Sequence, residues 1–273
     1  MGVLALAILA LAVVTAVRSG ISFDSIAWMP MAGAFLISMA SPALAAMEYR
    51  LGIRLAGTDT RWTTAIQVSL FASIANFLPL PAGFAVRLKA MTEQGAGPKK
   101  ALGASALIGL AWMAMSVLLL GLMLDGTART VCLVAAAALA LLTGALFITG
   151  GFSWSLLLPL TLLELLFIAS AAIRFWLVFT GLGIPLTTQQ AIALAASGPI
   201  AAAVGVIPGA LGVLEGISAA IAALAGLPAS SGFLASVVLR IFGALAILVW
   251  TPILRVDPAG SQTPSGRSGP FQR

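Results

Sequence analysis

Apolar residues fall in eight runs, at about 2–17, 26–47, 64–86, 101–124, 130–150, 153–181, 188–226 and 231–254, joined by short polar or charged segments. Runs of this length predict membrane-spanning helices, because about 20 apolar residues cross a hydrocarbon core of about 30 Å. Two runs are interrupted. The third contains Asn76-Phe-Leu-Pro79-Leu-Pro81-Ala-Gly83, and the seventh contains Val206-Ile-Pro208-Gly-Ala-Leu-Gly212-Val-Leu-Glu215. In both, a proline precedes a glycine by four residues (Pro79/Gly83, Pro208/Gly212), and a charge, Arg87 or Glu215, follows three or four positions later. Proline removes a backbone donor and glycine relaxes the backbone, so neither run is one smooth helix. Inside a bilayer, broken backbone survives only where it is buried in protein or lines a cavity. Paired breaks in two halves of a chain point to a transporter-like site.

Composition fixes the solvent. The chain is 61% hydrophobic and only 8% charged, which leaves too little polar surface to cover a soluble core. An all-α, polytopic membrane protein is predicted. Residues 1–17 lack a basic n-region, and Arg18 follows the apolar stretch, so the segment reads as a short first span and not as a cleaved signal. Residues 256–273, rich in Gly, Pro and Ser, predict a disordered tail. Cys132 is the single cysteine and there is no histidine. Internal disulfides, imidazole zinc sites and Ser-His-Asp hydrolysis are therefore excluded, and no metal or cofactor is expected.

The net charge of +6 adds orientation. Basic residues sit in short joints beside spans, where they set topology and meet anionic lipid; nucleic acid is not an expected partner. If each broken run enters and leaves on one face, that face holds Arg50, Arg54, Arg61, Arg87, Lys89, Lys99, Lys100, Arg255, Arg267 and Arg273, ten residues against Arg18 and Arg129 on the other. If both runs cross fully, the split is seven against five. The positive-inside rule favours the first arrangement. It predicts about six full spans plus two re-entrant broken helices, with both termini cytoplasmic. Each half, 1–126 and 127–255, then has three crossings and one hairpin. Three is odd, so the second half inserts upside down: an inverted repeat within a single membrane domain, 1–255. Ordinary membrane helices also contain Pro and Gly; against that plainer reading stand the matched breaks and the charge asymmetry.

Four charges fall inside predicted spans: Glu164, Arg174, Glu215 and Arg240. Each costs about 2.5–3.5 kcal/mol at a helix centre. Glu215 lies about 4.5 Å beyond Gly212 along its half-helix, at a depth similar to Arg240, so the two are expected to pair. Either the pair is structural, or a substrate phosphate competes for Arg240; the two readings are compatible. Arg174, seven residues from its span end, is expected to snorkel outward. Glu164 either carries a proton or hydrogen-bonds a neighbouring helix. Arg87 is either a positive-inside charge or a headgroup ligand beside the half-helix starting at Gly83, whose free N–H groups and positive dipole end suit an anion. Gly212 offers the same at the second break. Asn76 either bonds the freed backbone or faces the cavity.

These residues resemble the flippase-like membrane region of the lysylphosphatidylglycerol synthase/flippase family, over about Glu48 to Pro252. The resemblance is carried by Arg61-Trp62, Asn76-Phe-Leu-Pro79 to Arg87, and Lys99-Lys-Ala-Leu in the first half. In the second half it is carried by Pro208-Gly-Ala-Leu-Gly-Val-Leu-Glu215, Leu224-Ala-Gly-Leu-Pro228 and Arg240. The family often shows a Gly-Glu pair after the first turn; here Phe84 follows Gly83, so no first-half carboxylate role is carried over. Only a short tail follows residue 255, so lysyl-lipid synthesis is not expected. The resemblance implies a bacterial-type inner-membrane protein that translocates or handles lipids with anionic or polar headgroups. The alternative is a non-catalytic membrane partner of a lipid-modifying enzyme or glycosyltransferase. An intramembrane enzyme is least favoured, since the spans contain no histidine, no lysine and no closely spaced acid pair. The headgroup, the direction of movement and the oligomeric state are left open by the sequence.

Overall fold

A computed structural model describes residues 25–76, 82–203 and 212–255. The predicted first span, the tail and the breaks holding Pro79, Pro81 and Pro208 lie outside them. Among the described residues the chain is all helix, without strand. Five segments are long and apolar enough to cross a membrane: Trp28–Leu55, Pro98–Met123, Gly126–Gly150, Trp154–Gly181 and Ala229–Leu254. The chain is a multi-span, all-α membrane protein.

The first of these segments is bent into α1 (Trp28–Met39) and α2 (Ser41–Leu55). Pro42, in the first turn of α2, has no N–H to give the carbonyl of Ser38, and the Ala40 N–H turns back to the carbonyls of Ile37 and Ser38. Its 28 residues run about 42 Å at 1.5 Å per residue, further than the hydrocarbon is thick. The helix therefore continues past the predicted run end at 47 and carries Glu48, Arg50 and Arg54 on its last turns.

Two short helices, α3 (Trp62–Ala75) and α4 (Ala82–Glu93), flank the first break and pack side by side. Next come the long hairpin of α5 (Pro98–Met123) and α6 (Gly126–Gly150), then α7 (Leu157–Gly181), which opens on a 3₁₀ turn at Trp154–Leu156. Gly121 brings α5 against α6, where a Cβ would sit 2.9 Å from Cys132 Cβ. The seventh apolar run becomes α8 (Thr188–Ala195), α9 (Ser197–Ala203) and, beyond the second break, α10 (Val213–Leu224). The interruption at Ala196 was not anticipated; Pro199, lacking an N–H, ends the helix that Thr187 and Gln190 begin with a reciprocal cap. α11 (Ala229–Trp250) completes the bundle with a 3₁₀ turn at Thr251–Arg255.

The core has two main clusters. One gathers Tyr49, Ile53, Ala65, Met91, Leu107 and Phe152, from α2 to α5 and the joint between α6 and α7. The other gathers Met31, Leu120, Phe179, Leu194, Ile221 and Ala235, from α1, α5, α7, α8, α10 and α11. The α3–α4 pair thus contributes to the first cluster, and α8 and α10 to the second. Gln190 Nε2 donates to Ala225 O at 3.0 Å, tying the first turn of α8 to the end of α10.

Candidate functional site

The second break leads into a desolvated ion pair. Gly212 caps α10 with φ +83°, the left-handed region that suits glycine. That turn lets Glu215, in the first turn of the helix, fold back so that its Oε2 accepts the Gly212 N–H at 2.9 Å. On the same carboxylate, Arg240 of α11 places Nε 2.7 Å from Oε1 and donates Nη2 to Oε2 at 3.2 Å. Glu215 is 0% exposed and the Arg240 side chain 19%. The carboxylate therefore sits between a guanidinium edge and the positive end of a helix, each of which favours a negative charge. The predicted pairing of Glu215 with Arg240 is present, and the Gly212 N–H that sequence reading left free is taken by Glu215. Gly232 makes the approach of α11 to α10 feasible: a Cβ there would strike the Ser218 carbonyl and lie 2.7 Å from Ala222 Cβ. Sequence reading missed Gly232; its signal is the small-residue run Ala229-Ser-Ser-Gly232 at the start of the helix.

The first break leads to a second, looser pair. Arg87 of α4 donates Nη1 to Glu48 Oε1 of α2 at 3.1 Å, with side chains 26% and 19% exposed. Gly83 is buried against the end of α3: an added Cβ would strike Asn76 Oδ1 and lie 2.6 Å from the Ala72 carbonyl. Asn76 thus backs onto Gly83. Further along α4, Met91 packs on Gly52, and Gln94 Nε2 donates to Tyr49 Oη at 2.8 Å. These contacts fix α4 on α2 and set Arg87 opposite Glu48. Glu48 was not singled out from the sequence, where it marks only the edge of an apolar run.

Glu164 of α7 is 2% exposed, and among the described residues its Oε1 has no hydrogen-bond partner. Arg174 departs from its expectation. Its Nε donates to Ser170 O at 3.3 Å and its Nη1 reaches Ser41 Oγ at 3.5 Å, at the α1–α2 bend. Side chains lean toward the N-terminus of their own helix, and the near end of α7 lies in the other direction, so Arg174 points inward.

At one end of the bundle, Arg54 donates to Asp59 through Nε at 3.2 Å, Arg50 lies 3.7 Å from the same carboxylate, and the Arg50 guanidinium sits 5.2 Å from the Trp62 ring centroid. The Arg54 hydrogen bonds, then the Thr60 N–H, hold the Asp59 carboxyl below its ordinary range. Compared with known proteins, the chain matches no family model and no curated protein.

Proposed function

We propose that this membrane protein handles lipids with anionic or polar headgroups and passes them across the bilayer, as the resemblance to flippase-like regions suggests. The observation that carries the reading is the position of Glu215. Its carboxylate behaves as a tethered anion, holding Arg240 and the Gly212 N–H together. A headgroup phosphate offers the same acceptor oxygens and competes for the same donors. Arg87 provides a second cation beside the first break, held until needed by Glu48. The acyl chains stay in lipid while the headgroup exchanges with the carboxylates.

On this reading the two broken runs are re-entrant and the halves 1–126 and 127–255 form an inverted repeat. The side-by-side packing of α3 with α4 and the Gln190–Ala225 bond support chain reversal at both breaks. The excess of Arg50, Arg54, Arg61, Lys89, Lys99 and Lys100 over Arg129 supports an inner-membrane orientation with cytoplasmic termini. No catalytic role is assigned to the chain.

The test is headgroup accessibility in proteoliposomes, comparing wild type with the E215A/R240A double variant on fluorescent anionic, zwitterionic and glycosylated lipids. Faster exposure by wild type alone supports translocation at this site. Equal exposure by a folded double variant overturns the site. A second reading, a non-transporting partner of a lipid-modifying enzyme, draws on α6. Among the described residues α6 packs along α5 and leaves Val131, Val134, Leu141 and Ile148 outward, a face open to lipid or to another subunit. No exposure with any lipid, together with stable co-purification of such an enzyme, favours that reading.

A further inference from the structure

We propose that the cavity between the start of α5 and the end of α6 holds one anionic phospholipid as a resident of the protein, its phosphate on Lys99 and Lys100 and an acyl chain along the outer face of α6. The cavity has a volume of about 290 Å³. Lys99 and Lys100 of α5 and Thr149 of α6 form its polar side, and Leu146 with the Phe152 ring forms its apolar side. Two glycines complete the lining and leave it open. A Cβ at Gly103 would lie 3.3 Å from Phe152 Cζ, and one at Gly150 would strike the same ring. The buried ring thus rests against backbone on both helices, and no side chain from either glycine fills the space above it.

The lining follows the depth profile of a phospholipid. α5 has 26 residues and runs about 39 Å at 1.5 Å per residue, more than the hydrocarbon thickness of about 30 Å. Its first turn, with the exposed Lys99 and Lys100, therefore reaches the headgroup layer. Trp154, exposed and edge-on to Phe147 at 4.8 Å between ring centroids, marks the same level, where tryptophan is favoured. Below the cavity, α6 turns Ile148, Leu141 and Val134 outward at seven-residue steps, about two helical turns each, so they form one stripe. That stripe is about 21 Å long, more than one leaflet's half of the hydrocarbon, about 15 Å. Basic pockets between spans suit anionic headgroups, because each ammonium offers three donors to phosphate oxygens. Thr149 Oγ1 gives its own proton to Ala145 O at 2.8 Å, which leaves its lone pair to accept from a headgroup hydroxyl. A phosphoglycerol headgroup supplies both the charge and the hydroxyl. A zwitterionic headgroup brings an ammonium that the two lysines repel. The site shares no residue with the Glu215–Arg240 and Arg87–Glu48 pairs, and its lipid stays in place.

The full chain, delipidated in detergent, is titrated with phosphatidylglycerol, and the lipids bound per protein are counted by native mass spectrometry. Wild type is expected to retain one more lipid than K99Q/K100Q, with that site weakened about fivefold per lysine and so about 25-fold for the pair. K89Q/R129Q removes the same charge away from the cavity and is expected to match wild type. G103M keeps both lysines, fills the cavity and is expected to lose the lipid; its melting curve checks that it folds. Equal retention by wild type and K99Q/K100Q overturns the proposal, as does an equal loss in K89Q/R129Q, which makes the attraction one of net charge. Full retention by G103M overturns the use of the cavity. Phosphatidylcholine held as tightly as phosphatidylglycerol overturns the role of the two lysines. Glycerol phosphate held as tightly as the lipid makes the occupant a soluble phosphate and overturns the part given to α6. None of these outcomes bears on translocation at the Glu215–Arg240 site, which the E215A/R240A comparison tests separately.

Discussion

The two broken segments end in ion pairs of opposite sense and different burial. After the first break the short helix carries the cation, Arg87, and the long segment the carboxylate, Glu48; after the second break the short helix carries the carboxylate, Glu215, and the long span the cation, Arg240. The Arg87–Glu48 pair keeps 26% and 19% of its side chains exposed, whereas Glu215 is fully buried and gains a backbone N–H from Gly212. A buried pair costs a great deal to break from one side, because the partner left behind stays desolvated. A partly exposed pair opens more easily. On the proposed reading, the difference assigns the tighter hold to the second pair and the earlier exchange to the first.

The glycines differ as well. Gly83 is required by contact, with α3 pressed against it, while Gly212 is required by conformation, with no described residue within 4 Å of where a Cβ would be but φ at +83°. One glycine lets two helices touch; the other aims a helix so that its own carboxylate can cap it.

The largest effect is expected from R240A, which strands Glu215 in the core. It should lower unfolding stability in detergent by about 3–5 kcal/mol, and R87A by clearly less. Equal losses would erase the distinction between the pairs. G83A should cost about 1–3 kcal/mol by overpacking against the Ala72 carbonyl, and trimming Asn76 should recover only part of it, because the backbone clash remains. G212A should cost about 1–2 kcal/mol through left-handed strain alone, with no rescue by trimming a neighbour. Thermal unfolding of the variants, alone and combined with N76A, checks both.

The smallest effect belongs to D59N. Asp59 is held below its unfolded value by Arg54. Its contribution is therefore present at neutral pH, above the unfolded value, and lost as pH falls through the lowered one. The carboxylate is exposed, so D59N should lower the melting temperature slightly at neutral pH and not at all in strong acid.

The end of α3 at Ala75 and the start of α10 at Val213 were legible in sequence because Pro and Gly act locally, on donors and dihedrals that need no tertiary context. Glu215 with Arg240 was legible because opposite charges at similar depth on consecutive elements have few other partners. Glu48 was not, since a carboxylate at the edge of an apolar run looks like an interfacial residue until α2 is seen to continue to Leu55 and α4 to lie along it. The pair joins residues 39 apart, with α3 between them in the chain. Pro199 was overshadowed by the stronger Pro-Gly signal that follows it. Arg174 was misread because its distance to the near span end was weighed without the direction in which helical side chains lean.

The most direct measurement is the affinity of E215Q for short-chain phosphatidylglycerol, set beside wild type and R240Q by titration in detergent. If Glu215 occupies an anion site, removing its charge frees Arg240, so E215Q binds the lipid more tightly than wild type while R240Q binds it weakly. If E215Q, still folded, binds no more tightly than wild type, Glu215 does not compete with a headgroup, and its pair with Arg240 is only a strut between α10 and α11.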